Sequence, residues 1–169
     1  MKYSKLSNKS FTATMKHLLL MAFAILTIGC GEKKSEDVNL DELEVREGVA
    51  YLKNSDSPYT GKVFEFHDNG QKKSEGNRKD GKLHGPAVTW HENGQKEAEA
   101  NNKDGKFDGP LVNWYDNGKK RFEANYKDGK QHGDATGWYE NGQKSFESEW
   151  KNGKETSRAD FKDGTRVSE

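Results

Sequence analysis

Cysteine is almost missing from this sequence: Cys30 is the only one in 169 residues. No disulfide can form within the chain, so an oxidising compartment adds no staple to its fold. Apolar residues are also few. They make up 30% of the chain against 33% charged, and the mean hydropathy is −1.17. That excludes a thick globular core and borders on compositions that stay disordered. A surplus of positive charge is absent as well. Residues 1–29 hold four of the 28 basic residues (Lys2, Lys5, Lys9, Lys16) and no acid, so the remainder carries 24 basic against 28 acidic, a net of −4. Phosphate neutralisation needs a cationic surface, so nucleic acid is not an expected partner. Only one long apolar run occurs, Leu18 to Ile28, broken by Thr27. It is shorter than the roughly 20 residues that span a bilayer.

What is present argues for packing. Aromatics reach 11% and glycine 18 residues, whereas disordered chains are poor in aromatics. A thin, extended β structure with one or two shallow apolar faces accommodates both facts.

The first 29 residues read as a secretory signal, with lysines ahead of the apolar run and small residues closing it. The sequence Leu26-Thr27-Ile28-Gly29-Cys30 resembles a bacterial lipobox, with Thr27 where leucine is usual. Met1 and Met15 are both possible starts. The resemblance implies that Cys30 is lipidated, becomes the new N-terminus and anchors the protein to a membrane of the bacterial cell envelope. Gly31 in place of Asp favours the outer over the inner membrane of a Gram-negative cell. Residues 30–44 are dense in charge and read as a flexible tether.

From Val45 to the end the chain is periodic. Asn-Gly recurs at 69-70, 93-94, 117-118 and 141-142, and Asp-Gly at 80-81, 104-105 and 128-129, with Asn152-Gly153 completing the second series. Gly61, Gly85, Gly109 and Gly133 form a third, all with a period of 24. Lys72, Lys96, Lys120 and Lys144 make one column, Glu75, Glu99, Glu123 and Glu147 another, and Phe66, Trp90, Trp114 and Trp138 an aromatic one. A fixed period of this size is the signature of a repeat architecture.

Within a unit, Asn-Gly and Asp-Gly suit tight primed turns, which match strand twist. Between turns the pattern alternates: Phe122, Ala124 and Tyr126 fall on one face, Glu123 and Asn125 on the other. Pro86 and Pro110 are placed at strand starts, where a missing N–H costs least. The expected fold is all-β: an elongated, meandering antiparallel sheet of 24-residue β-hairpin repeats over residues 45–169. Residues 45–61 and 156–169 read as degenerate caps, and each hairpin covers its neighbour's aromatic face.

No catalytic centre emerges. Histidines 67, 84, 91 and 132 invite a metal reading, but His67 and His91 share a column with Tyr115 and Tyr139, and no cysteine or spaced histidine pair completes a site. Successive column glutamates lie two strands apart, roughly 9–10 Å, within reach of a glycosidase pair. Repeated environments, however, cannot split two pKa values as such chemistry needs, and each glutamate is expected to face a lysine across strands, worth about 0.2–1 kcal/mol. No catalytic residue, metal or cofactor is therefore expected. Trp90, Trp114 and Trp138 are expected as core, with Trp114→Ala costing about 3–5 kcal/mol; with Tyr115 and Tyr139 they also form the candidate binding face.

The strings Tyr126-Lys127-Asp128-Gly129-Lys130-Gln131-His132-Gly133 and Trp138-Tyr139-Glu140-Asn141-Gly142-Gln143-Lys144 resemble the MORN-repeat-variant family, as does Pro58-Tyr59-Thr60-Gly61-Lys62 at the start of the array. The resemblance covers residues 45–169. It implies a binding protein with a protein partner, a toxin among the candidates given antitoxin-like and immunity-like members. The other implied role is an envelope scaffold that binds cell-wall glycan or lipid. The oligomeric state is left open. Departures from the pattern are Asp108 in the slot of His84 and His132, Ser157 where the third glycine series would place its next member, and Asp163-Gly164 two residues early.

Overall fold

The computed structural model describes residues 37–167. The signal-like segment, Cys30 and the first part of the segment read as a tether lie outside them. The strands are β1 (Val38–Asn39), β2 (Leu43–Arg46), β3 (Val49–Leu52), β4 (Gly61–Phe66), β5 (Lys72–Lys79), β6 (Lys82–Trp90) and β7 (Lys96–Lys103). They continue as β8 (Lys106–Trp114), β9 (Lys120–Lys127), β10 (Lys130–Trp138), β11 (Lys144–Lys151), β12 (Lys154–Lys162) and β13 (Thr165–Arg166). One eleven-stranded sheet runs in the order β1-β4-β5 and onward to β13, while β2 and β3 pair only with each other. From β4 onward the sheet is an antiparallel meander, and β1 joins β4 in parallel. The all-β repeat fold is as the sequence pattern predicts.

The two turn series differ in chemistry. In the Asp-Gly turns both residues have positive φ, 49° at Asp80 and 76° at Gly81, the primed geometry that matches strand twist. In the Asn-Gly turns positive φ is confined to glycine, 83° at Gly70. There the Gly70 N–H donates to the His67 carbonyl at 2.8 Å, and the His67 N–H donates to that of Gln71, also at 2.8 Å. This is the pattern of a type I turn closed by a left-handed glycine, not the primed turn expected.

The third glycine series marks a bulge. Leu83 pairs with Arg78 and Ala87 with Gly76, so β6 advances four residues while β5 advances two; β8 and β10 repeat this. Pro86 and Pro110 therefore lie inside the bulge rather than at strand starts. Pairing with the preceding strand is interrupted there, so the missing N–H leaves no ladder bond unmade. In β12, where Ser157 replaces the glycine, the bulge shrinks to one extra residue between Glu155 and Ser157.

The sheet is a single layer. Among the described residues no large side chain is fully buried. Apart from Leu111, one face carries a row of small residues across the strands, Gly76, Ala87, Ala100, Ala124, Ala135 and Ser148, with Ala124 and Ala135 buried. Phe122 and Phe146 lie 6.2 Å apart and Phe107 and Tyr126 5.4 Å apart on this face. The tryptophan column is on the opposite face, by the alternation of side chains along each strand. The aromatics are thus divided between two shallow faces, the two-faced form of the thin β structure that the composition suggests.

The N-terminal cap begins earlier than the sequence suggests. Val38, Tyr59 and Val63 form a small buried cluster with Leu40 and Leu43 against it. The β2–β3 hairpin is held there by backbone bonds: Ala50 N–H to Gly81 C=O at 3.0 Å, Gly81 N–H to Tyr59 C=O at 2.8 Å and Tyr59 N–H to Ala50 C=O at 2.8 Å. Residues 38–44, read as tether, are cap instead, because three apolar side chains among the acids find burial.

Candidate binding surface

The tryptophan face is built from columns one repeat apart. Trp90, Trp114 and Trp138 end β6, β8 and β10 and are half-buried. Each ring is covered by a lysine from the preceding strand: Lys72 at 5.4 Å from the Trp90 ring centre, Lys96 at 5.7 Å from that of Trp114, and Lys120 at 5.7 Å from that of Trp138. Lys144 stands 5.6 Å over Phe161. Phe161 thereby takes the place of a fourth tryptophan. Sequence reasoning missed it because the shortened bulge in β12 moves the column by one residue.

The same lysines pair with the glutamate column: Lys72 with Glu75 at 2.5 Å, Lys96 with Glu99 at 2.7 Å, Lys120 with Glu123 at 2.5 Å, and Lys144 with Glu147. These partners lie three apart on one strand, not across strands as expected. Residues three apart in a regular strand point to opposite faces. The shift at the start of each odd strand, where Phe66 pairs with Lys72 but Glu65 with Ser74, inserts one residue and brings them to the same side. Glu75 alone of the column has a cross-strand lysine as well, Lys62 at 3.0 Å. These two lysines hold the Glu75 carboxyl below its ordinary range, Lys72 contributing most. As exposed pairs they add about 0–1 kcal/mol each. Each glutamate is paired with its own lysine, an arrangement that orders lysine over tryptophan.

The histidine columns resolve into structure. His67 Nε2 lies 2.7 Å from the Trp90 carbonyl and His91 Nε2 3.1 Å from that of Trp114. In the next two copies the Tyr115 hydroxyl donates to Trp138 C=O at 2.7 Å and the Tyr139 hydroxyl to Phe161 C=O at 3.1 Å. The interchange of His and Tyr follows, since either ring presents a donor at its far end. In three of its four copies the second slot caps the next tight turn: Thr60 Oγ1 accepts from Asp80 N–H at 2.8 Å and Asp108 Oδ2 from Asp128 N–H at 3.2 Å, and His132 Nδ1 lies 3.5 Å from Asn152 N, whereas His84 Nδ1 lies 3.4 Å from the Asp104 carboxylate and makes no such bond. Asp108 can replace histidine because the slot needs an acceptor. The Asn-Gly asparagines also bridge copies, with Asn69 Nδ2 donating to Glu92 C=O at 2.8 Å and Asn93 Nδ2 to Asp116 C=O at 2.7 Å. The signal in the sequence was the 24-residue spacing of side chains that all end in a hydrogen-bonding atom.

The candidate face therefore holds together in part. Trp90, Trp114 and Trp138 share one face beneath their lysines. Tyr115 is committed to a backbone bond and half-buried, and Tyr139 makes the same bond while staying 44% exposed. Cys30, the expected lipidation residue, lies outside the described residues.

Four segments of the chain, residues 59–80, 83–104, 107–128 and 131–152, match the model of the MORN repeat variant. Together they cover 88 of the 169 residues. This chain belongs to the MORN repeat variant family. Neither the curated proteins nor the solved structures contain a match to it. MORN repeats are protein-binding or membrane-binding modules. Here each MORN segment ends at a tight turn, and the last three also begin just after one, so one copy is an even strand, an Asn-Gly loop and an odd strand.

Proposed function

We propose that this MORN-repeat protein is a non-catalytic binding module, anchored to a membrane through Cys30, which engages a protein partner in an antitoxin-like or immunity-like role. The observation behind this reading is the single-layer sheet whose tryptophan, lysine and glutamate columns recur in register on one open face. Half-exposed tryptophans rimmed by charge are the side chains that anchor protein interfaces. Glutamates tied one by one to lysines support a non-catalytic surface, because acid–base work needs unlike environments.

The test is whether a secreted toxin is encoded beside this protein and is captured by the full chain and by its Trp114→Ala and Tyr139→Ala variants. Retention by the parent and loss by variants that still fold supports the reading. Co-sedimentation with purified cell wall and no protein capture would replace it with the glycan-scaffold role. Anchoring is tested separately: labelled fatty acid is incorporated by the parent and not by Cys30→Ala, and label that survives the substitution removes the anchor.

A further inference from the structure

The two ends of the sheet are finished differently. At the N-terminal end β1 pairs with β4, and the β2–β3 hairpin docks at the Gly81 turn. At the other end β13 pairs only with Phe161 and Lys162 of β12. Ser157, Arg158 and Ala159 pair inward with Glu149, Ser148 and Glu147 of β11 and have no outer strand among the described residues. Their counterparts Ala135 and Thr136 on β10 are paired on both sides. The Asp160 carbonyl points outward, where it accepts from Val167 N–H at 2.8 Å. Backbone groups two residues apart face the same edge of a strand, so the N–H and C=O of Arg158 are presented there too. Such an edge is a template for another strand.

The side chains beside this edge depart from the repeat. On the tryptophan face Asp134 lies directly opposite Glu149, and Glu149 opposite Ser157. Earlier copies place Pro86 with Asn101 and Pro110 with Asn125 at the same pair. Asp134 and Glu149 are both exposed and make no ion pair with the described residues; Arg158, which lines the same hollow, is committed to Glu155 and Asp160, and Arg166 stands at its far side. Like charges directly opposite oppose pairing, so a cation brought to this row is favoured. A strand added to β12 puts one side chain opposite short Ser157, about 9–10 Å from Glu149. Lysine and arginine have the reach to cross that gap.

We propose that the open edge of β12 receives an extended segment of a partner polypeptide, with lysine or arginine at the position that faces Ser157. This rests on the protein-binding reading but uses the edge of the sheet, not the tryptophan face. A second copy of this chain is a poorer occupant, because pairing β12 with β12 sets two acidic rows side by side.

The probe is a short synthetic peptide alternating lysine with threonine, compared with its glutamate counterpart and followed by amide hydrogen exchange in the full chain. The lysine peptide is expected to slow exchange of the Arg158 amide and the glutamate peptide to leave it unchanged. Asp134→Asn with Glu149→Gln keeps the edge and should weaken lysine-peptide binding about fivefold. Arg158→Pro removes an N–H that the β11–β12 ladder does not use, at an edge position that tolerates proline, and should abolish binding. Equal binding of the two peptides, an unaffected Arg158 amide, or protection of that amide before peptide is added would overturn the proposal. Concentration-dependent protection without peptide would overturn it in favour of self-association. Trp114→Ala should leave peptide binding intact; partner capture that needs Trp114 while the peptide fails refutes the edge alone.

Discussion

The hydroxyl of Tyr115 donates to the main-chain carbonyl of Trp138, one repeat ahead, at 2.7 Å. His67, His91 and Tyr139 make the equivalent contact with Trp90, Trp114 and Phe161. In a single layer with so little buried volume, coupling between repeats cannot come from a core. It comes from these ring-to-carbonyl bonds, from asparagine bridges between loops and from the ladder, a nearest-neighbour arrangement as in other repeat arrays.

Tyr115→Phe keeps the ring and deletes the bond, leaving the half-buried Trp138 carbonyl without that donor. The expected loss is about 0.5–1.5 kcal/mol, read as a lower urea midpoint. His91→Tyr, which copies the later repeats, should unfold at about the parent midpoint. A Tyr115→Phe protein indistinguishable from the parent would show that the bond does not couple repeats.

Glycines of similar φ should respond unequally to alanine. Gly81 has φ 76° and Gly70 φ 83°, so both pay the left-handed penalty of about 1–2 kcal/mol. A Cβ on Gly70 meets nothing within 4 Å, whereas one on Gly81 runs into Val49 Cγ1 and lies 2.8 Å from the backbone N and O of Ala50. Gly81→Ala must therefore also displace the β2–β3 hairpin. Hydrogen exchange should show the Ala50 amide exposed in Gly81→Ala and protected in Gly70→Ala; matching protection would sink the docking argument.

Much of this was legible in the sequence, because the turn pairs and the alternation between them act locally. Asp80-Gly81 and its successors set two-residue turns, and the columns set the strands. What was not legible depends on parity. The residue inserted at Lys72–Lys73 turned a supposed cross-strand charge pair into one along a strand. The bulge at His84-Gly85-Pro86 took in a proline that had been placed at a strand start, and its shortened version in β12 hid Phe161. Val38, Leu40 and Leu43 were overlooked among acids because their burial depends on Tyr59 and Val63, some twenty residues away in sequence. The depth of the tryptophans could not be read either, since a column of large rings looks the same whether a second layer covers it or lysines do.

Acid should weaken the N-terminal end through Glu75. Its folded pKa is lowered by Lys72 and then Lys62 from an ordinary value of 4.5. A depressed carboxyl stabilises the fold above its unfolded pKa, and that contribution is withdrawn as pH falls through the folded value. Stability of the parent should therefore drop below about pH 4.5. Glu75→Gln should be less stable at neutral pH and lose less on acidification. Parallel acid limbs for the two proteins would show that the pair contributes nothing, the common outcome for exposed pairs.

Trp114→Ala separates the two roles that a tryptophan column can have. The sequence reading, with the ring as core, gave a cost of about 3–5 kcal/mol. Half-burial under Lys96 lowers this to about 2 kcal/mol, the sum of partial burial of a large ring and an exposed cation–π contact. Chemical denaturation of the full chain decides: a loss above about 3 kcal/mol would restore the core role, and one near zero would mean that the stack is not structural. At the intermediate value the ring is divided, one side holding the neighbouring strand and the other available beside the lysine. A side chain so divided can lose a partner on truncation without unfolding the sheet, which is what a surface used for binding requires and a core does not allow.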